Sequence, residues 1–160
     1  LEGCFMHINY KKLAIQLGIP LAVGGLATLL AGGMGNYKTF TQPPLSPPGW
    51  LFPVVWTILY TLMGISSYLI FTSDGDKEER KAAMSIYVYQ LIVNFLWPTL
   101  FFGFWWFFFS FLWILLLLFL VAVMIKSFYK IRKLAAYLNI PYFLWLCFAS
   151  YLNLTIWWLN

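Results

Sequence analysis

The sequence predicts an all-α polytopic membrane protein, a bundle of five transmembrane helices, and three observations carry that prediction. Charged residues make up only 9% of the chain and hydrophobic ones 62%, which excludes an ordinary soluble domain. The charges fall in four short stretches, and the uncharged runs between them suit helices of about 20 residues, the length a hydrocarbon core demands. Those runs are continuously apolar and lack the alternation and closely spaced turns of β-barrel strands.

The elements follow from the gaps between charges. Residues 1–12 form a tail, of which 1–5, ahead of Met6, are set aside as an expression remnant. The remaining residues, 13–160, form a single transmembrane domain. The first helix occupies about 13–33, between Lys12 and Lys38, and its basic flank resembles that of a signal peptide. It lacks an A-x-A cleavage site followed by a soluble domain, so it is expected to be retained. Residues 39–73 are uncharged. They hold a proline-rich segment and then a second helix at about 50–71. Residues 82–125 are too many for one helix, and Pro98 followed by Gly103 supplies a break, giving helices at about 82–101 and 104–125. A fifth, about 134–158, follows Lys133.

Five spans place the N-terminus with the second and fourth loops on one side. That side then holds Lys11, Lys12, Lys77, Arg80, Lys81, Lys126, Lys130, Arg132 and Lys133, and the other holds only Lys38. A miscounted helix would scatter these residues, so the asymmetry supports the count and, by the positive-inside rule, a cytoplasmic N-terminus with the C-terminus outside. The net charge of +5 is then a topology signal and a contact with anionic lipid, and no nucleic-acid partner is expected.

Catalytic and metal chemistry find little support in the residues. Cys4 and Cys147 lie in the tail and deep in the fifth helix, too far apart to bridge, and no metal site is expected. His7, the only histidine, sits on the tail. No phosphate loop or Ser-His-Asp arrangement occurs, no catalytic residue is assigned, and no Asp, Glu, Lys or Arg lies inside a span. Ion- or proton-coupled transport, which places ionisable groups at membrane depth, is disfavoured.

Aromatic residues, 22% of the chain with nine tryptophans, exceed what interface belts need. Their spacing is helical. Trp56, Tyr60, Met63 and Ser67 share one face of the second helix, Tyr87, Gln90, Asn94 and Trp97 one face of the third, and Tyr142, Trp145, Ala149 and Asn153 one face of the fifth. Amides facing lipid are costly, so these stripes should point inward. Interhelical hydrogen bonding and core filling would account for any one residue. The combination predicts a flat-walled apolar pocket with a few neutral hydrogen bonds, suited to a large planar or steroid-like ligand. Gly18, Ala22, Gly25 and Gly32 align on the first helix as a small-residue face for close packing or dimerisation. Prolines 43, 44, 47 and 48 stiffen the first external loop, which is either an ordered lid over the bundle or a rigid connector.

Three blocks, SPPGWLFPVVWTILYTLMGISSYL (46–69), YQLIVNFLWPTLFFG (89–103) and IPYFLWLCFASYLN (140–153), closely resemble the TspO/MBR family of translocator and tryptophan-rich sensory proteins, in the same order and on the same helices. The resemblance implies a five-helix homodimer with a pocket beneath the first loop. It implies porphyrins such as protoporphyrin IX and haem as ligands, and for mitochondrial members cholesterol and isoquinoline- or benzodiazepine-type compounds. The matching pocket positions are Trp56, Tyr60, Asn94, Trp97, Trp145 and Ala149, to which the stripe adds Asn153 and the isolated charge adds Lys38 as a partner for a porphyrin propionate. Some bacterial members are associated with light-dependent porphyrin breakdown through tryptophans.

Two departures qualify the resemblance. Leu45 stands where many members carry a tryptophan, which weakens the photochemical expectation. Leu154 and Trp158 stand where a cholesterol-recognition pattern needs tyrosine and a basic residue; a formal match at Val123, Tyr129 and Arg132 is a weak pattern. The leading expectation is a membrane receptor or regulator that binds metal-free tetrapyrroles as ligands, with no covalent cofactor. Oxidative porphyrin degradation and sterol or lipid movement are the alternatives. The short tails favour a bacterial cytoplasmic membrane over a mitochondrial outer one.

Overall fold

A computed structural model describes residues 8–32 and 41–160. Lys38, Cys4 and His7 lie outside the described residues. Among these residues there is no strand, and five stretches are long and apolar enough to cross a membrane.

Helix α1 (Tyr10–Leu30) begins where the Asn9 side chain accepts a hydrogen bond from the Lys12 N–H at 3.2 Å. It stops before Gly32, whose φ of +78° is the left-handed conformation that glycine adopts freely. Helix α2 is Leu51–Phe71. Helix α3 (Lys77–Pro98) starts at Asp76, whose carboxylate accepts from the Glu79 N–H, with Glu78 and Glu79 complementing the first-turn dipole. It therefore begins earlier than the apolar pattern suggests, because capped charged residues extend it beyond the apolar run.

Pro98 ends the α-helical geometry but not the span. Proline has no N–H and its ring crowds the preceding turn, and the chain responds by switching to π-helical geometry over Thr99–Gly103, with Phe104 N–H donating to Thr99 O at 2.9 Å. The expected break is thus displaced to residues 104–106, where Trp105 has a φ of +57°. Helix α4 (Phe107–Ile131) runs past the predicted end at residue 125 and carries Lys126 and Lys130 on its last turns. The fifth span is two pieces, α5 (Lys133–Tyr137) and α6 (Ile140–Leu159). At their junction Asn139 Nδ2 donates to Ser66 Oγ at 2.6 Å and to Ala135 O at 3.0 Å, and Ser66 Oγ donates to the same carbonyl.

Contacts at the helix ends confirm that successive spans alternate in direction. At one end Asn9 N–H donates to Tyr68 OH, and Gly75 lies against Ile131. This gathers the basic residues of α1, α3, α4 and α5 and is called the basic end. At the other, Thr41 N–H donates to Asn160 Oδ1, Tyr151 OH donates to Pro44 O and Asn153 Nδ2 donates to Phe107 O. Phe104, Trp105, Trp106 and Trp158 are exposed there, as expected of side chains at a membrane interface; this is the aromatic end.

The small-residue face of α1 does not pack within the bundle. Gly18, Ala22, Gly25 and Gly32 are exposed, and Gln16, Pro20, Ala27 and Ala31 are buried instead. The close approach of α1 and α2 comes from Gly64, where an added Cβ would lie 2.7 Å from Leu17 Cα and 2.8 Å from Gln16 O. Helical spacing on α1 alone offers two adjacent small-residue faces, and only the partner surface on α2 selects between them.

Candidate functional site

All twelve residues of the three predicted stripes point into the bundle, each buried or half-buried. Toward the aromatic half they stand back from α1 and leave a cavity of about 270 Å³. Every span contributes to it: Gly24 and Ala27 from α1, Trp56 and Tyr60 from α2, Asn94 and Trp97 from α3, Ile114 and Leu117 from α4, and Trp145 and Ala149 from α6. Phe52 and Phe102 close it toward the aromatic end, where they join a second apolar cluster with Ala31, Phe101, Leu152 and Ile156.

Glycine at position 24 is what makes room for the α2 wall, since a Cβ there would overlap the Tyr60 ring. Tyr60 in turn stacks on Trp56, with ring centroids 5.4 Å apart, and Trp56 meets the Tyr142 ring edge-on at 6.2 Å. Trp97 stacks on Phe101 at 5.0 Å, and Trp145 packs edge-on against Phe52 at 5.8 Å. The walls are therefore flat rings held by other rings.

The polar groups form a directed chain. Tyr60 OH donates to Asn94 Oδ1 at 2.7 Å, Asn94 Nδ2 donates to Tyr142 OH at 2.7 Å, and Tyr142 OH donates to Gln90 Oε1 at 2.8 Å. It ends where Gln90 Nε2 faces Met63 Sδ at 3.8 Å. A thioether accepts and cannot donate, so Met63 fixes the Gln90 amide with its NH₂ toward sulfur, and the direction of every bond back to the cavity follows. Within this chain each buried hydroxyl and amide is satisfied by its neighbour, as an apolar interior requires.

Of the eight residues predicted to form the site, six line the cavity: Trp56, Tyr60, Asn94, Trp97, Trp145 and Ala149. Asn153 does not. It is 1% exposed and accepts from Trp97 Nε1 at 3.1 Å while donating to Phe107 O at 2.7 Å, so it aims Trp97 from behind. Lys38 lies outside the described residues. The described part of the first loop, residues 41–50, contributes nothing to the lining; it is fastened to α6 through Tyr151 and Asn160.

Sequence reasoning missed the α1 and α4 walls. Gly24, Ala27, Ile114 and Leu117 carry no polar or aromatic mark, and a residue that shapes a cavity by being small or aliphatic is indistinguishable from core filling in a sequence. Among the described residues the lining has no Asp, Glu, Lys or Arg. Among the described residues no group of His, Cys, Asp and Glu is placed to hold a metal ion. The cavity can thus accept an apolar ring system and offer neutral hydrogen bonds, and among the described residues its lining has no fixed charge to pair with an ionised group.

Comparison with known proteins agrees with this architecture. The model of the TspO/MBR family matches residues 16–159. The tryptophan-rich protein TspO of Chlorobaculum tepidum is 35% identical over 97% of this chain and 99% of its own length. That of Archaeoglobus fulgidus is 34% identical over 96% and 99%, and the translocator protein of Sus scrofa is 34% identical over 90% and 88%. Five apolar spans and a match over nearly the whole chain make this an integral membrane protein that belongs to the TspO/MBR family.

Proposed function

We propose that the protein is a membrane receptor or regulator that binds tetrapyrroles, with protoporphyrin IX as the representative ligand, in the aromatic cavity between α1, α2, α3, α4 and α6. The observation that carries this reading is the wall of stacked rings, Trp56 on Tyr60 and Trp97 on Phe101, around the Asn94 amide. Flat rings gain most from a flat apolar ligand. The Trp145 indole N–H, in a cavity-wall side chain, has no hydrogen-bond partner among the described residues and is a donor available to a polar ligand atom after a small ring movement. A cavity of about 270 Å³ sits at the lower limit of roughly 300–1,000 Å³ for drug-sized ligands. A macrocycle therefore enters only with the helices displaced, and its carboxylates stay outside the uncharged lining. Lys38 is proposed as a partner for them.

The basic end is assigned to the cytoplasm, the host membrane to a bacterial cytoplasmic membrane, and the assembly to a homodimer. A second reading, oxidative breakdown of the bound porphyrin in light and oxygen, is favoured by the contact of the redox-active ring of Trp56, at the cavity wall, with the rings of Tyr60 and Tyr142. Sterol binding is a third, with Ala149 at the cavity wall as its position to test.

Titrating the purified protein with protoporphyrin IX in the dark should give saturable quenching of tryptophan fluorescence, weakened by Asn94→Ala and by Trp145→Phe. Quenching that does not saturate, or that matches empty detergent micelles, would refute tetrapyrrole binding. Illumination of the same sample then separates receptor from enzyme: bleaching no faster than in detergent alone would reject the degradative reading.

A further inference from the structure

We propose that the half of α1 beyond Pro20 is a hinged side gate, through which an apolar ligand passes between the lipid phase and the cavity. What passes rests on the tetrapyrrole reading above; the hinge does not.

The two halves of α1 are held differently. Toward the basic end, Asn9 N–H donates to Tyr68 OH at 2.9 Å, and the Gln16 side-chain carbonyl accepts from Ser67 Oγ at 3.0 Å. In the same half the α1 backbone at Gln16 and Leu17 seats directly on Gly64. Toward the aromatic end, among the described residues, α1 meets the bundle by packing alone, through Val23, Ala27 and Ala31 and through Gly24 on the Tyr60 ring. Pro20 stands between the two halves. It has no N–H to give the Gln16 carbonyl, and such a site is where helices kink and bend.

This second half is also the half that covers the cavity. Its residues Leu21, Gly25 and Thr28 line the cavity and are exposed on the bundle surface, as are Pro53 and Thr57 on the facing edge of α2. The cavity therefore reaches the lipid-facing surface between α1 and α2. Nothing lies within 4 Å of where a Cβ at Gly25 would sit, so the gap is bounded by small groups. Among the described residues the only side-chain hydrogen bond of this half-helix is Thr28 Oγ1 to Gly24 O, within α1 itself, whereas moving α6 would break the bonds of Asn139, Tyr142 and Asn153 to other spans. α1 is also the least buried of the five spans. A ligand larger than the closed cavity needs such a displacement to enter.

The test has one arm with no ligand. In lipid nanodiscs, with Cys4 and Cys147 replaced by serine, spin labels are placed across the bundle at Leu29 and Leu112 near the aromatic end, and at Ile15 and Tyr129 near the basic end. The first pair should give a broad distance distribution and the second a narrow one, and Pro20→Ala should narrow the first. Equal widths for the two pairs would overturn the gate whatever the ligand. In the second arm, protoporphyrin IX association is followed by stopped-flow quenching. Gly25→Trp should slow association about tenfold, as a blocked entry step does, Thr57→Trp should repeat the effect from the facing wall, and Gly18→Trp, equally open but away from the cavity, should match the wild type. Saturable binding with unchanged rates in both plugged variants would overturn lateral entry. Absence of saturable binding by the wild type would sink the tetrapyrrole reading alone, with the label distances still deciding the gate.

Discussion

Replacing Gly64 with alanine adds one methyl group at the seam of α1 and α2. Its Cβ would sit 2.7 Å from Leu17 Cα, 2.8 Å from Gln16 O and 2.9 Å from Leu17 Cδ2, where ordinary contact begins at 3.4 Å. Two of these three neighbours are backbone atoms and cannot rotate away, so α1 must retreat along its clamped half, by about 0.7 Å, from 2.7 to 3.4 Å, to regain ordinary contact. The movement also strains the Ser67 to Gln16 hydrogen bond on the next turn. Overpacking of this kind costs about 1–3 kcal/mol, and the gain from replacing a helical glycine offsets about 1 kcal/mol of it. The net loss of about 1 kcal/mol should lower the midpoint of thermal unfolding in detergent by roughly 2–4 °C. Gly18→Ala is the internal control, because a Cβ at Gly18 meets nothing within 4 Å; it should be neutral or slightly stabilising. Gly64→Ala matching Gly18→Ala in thermal stability would refute the close-approach argument.

Three other substitutions separate cavity shape from bundle stability. Gly24→Ala should push the Tyr60 ring off its place, weakening its bond to Asn94 and reducing protoporphyrin IX affinity by about 1 kcal/mol, the scale of an interhelical hydrogen bond in a membrane; an unchanged binding curve would contradict this. Asn153→Leu should weaken binding although the residue does not line the cavity, because it releases Trp97, and Trp97→Phe in the same background should add little further loss if the two act together. Leu45→Gly should leave thermal stability unchanged or raise it by about 1 kcal/mol. Leu45 has a φ of 69° in a turn in which Ser46 N–H donates to Pro43 O, a position where glycine carries no steric penalty. A clear loss of stability would show that the 82%-exposed leucine side chain makes a stabilising contact.

The fold was legible because charge in a membrane protein marks where spans end, and the solvent enforces the rule: Lys12, the cluster at 74–81 and the cluster at 126–133 each cost too much inside the hydrocarbon. Exact ends were less legible. Lys77 and Lys126 lie inside helices that extend into the aqueous interface, and Pro98 was passed by a π-turn that no sequence period announces. The inward stripes were legible for the same energetic reason as the spans. Asn94, Gln90 and Asn153 had to avoid lipid, and each found a partner inside. Which of them reach the cavity was not legible, since Asn94 and Asn153 have the same chemistry and differ only in what stands in front of them. The α1 surface failed for a related reason. Gly18 was placed on the packing face and Gly24 was not, and the difference between open space at one and a tyrosine ring at the other belongs to α2.

The cavity and the gate have one origin in the size of the α1 side chains. A larger residue at 24 would fill the space now taken by Tyr60 and break the start of the chain from Tyr60 through Asn94 and Tyr142 to Gln90. A larger residue at 25 would close the gap to lipid without touching that chain, because nothing stands within 4 Å. Adjacent glycines on one helix thus separate two properties, ring geometry within the bundle and access from outside it. The uncharged lining adds a third constraint. With no fixed charge among the described lining residues to offset desolvation, an ionised carboxylate is disfavoured there, so an amphiphilic ligand would be oriented by exclusion, ring system inward and acid groups outward. The Asn94 amide then meets only neutral ligand atoms. Selectivity in such a site comes from ring shape and from the few hydrogen bonds left unfilled, and the width of the α1–α2 gap sets the rate at which any ligand is tried.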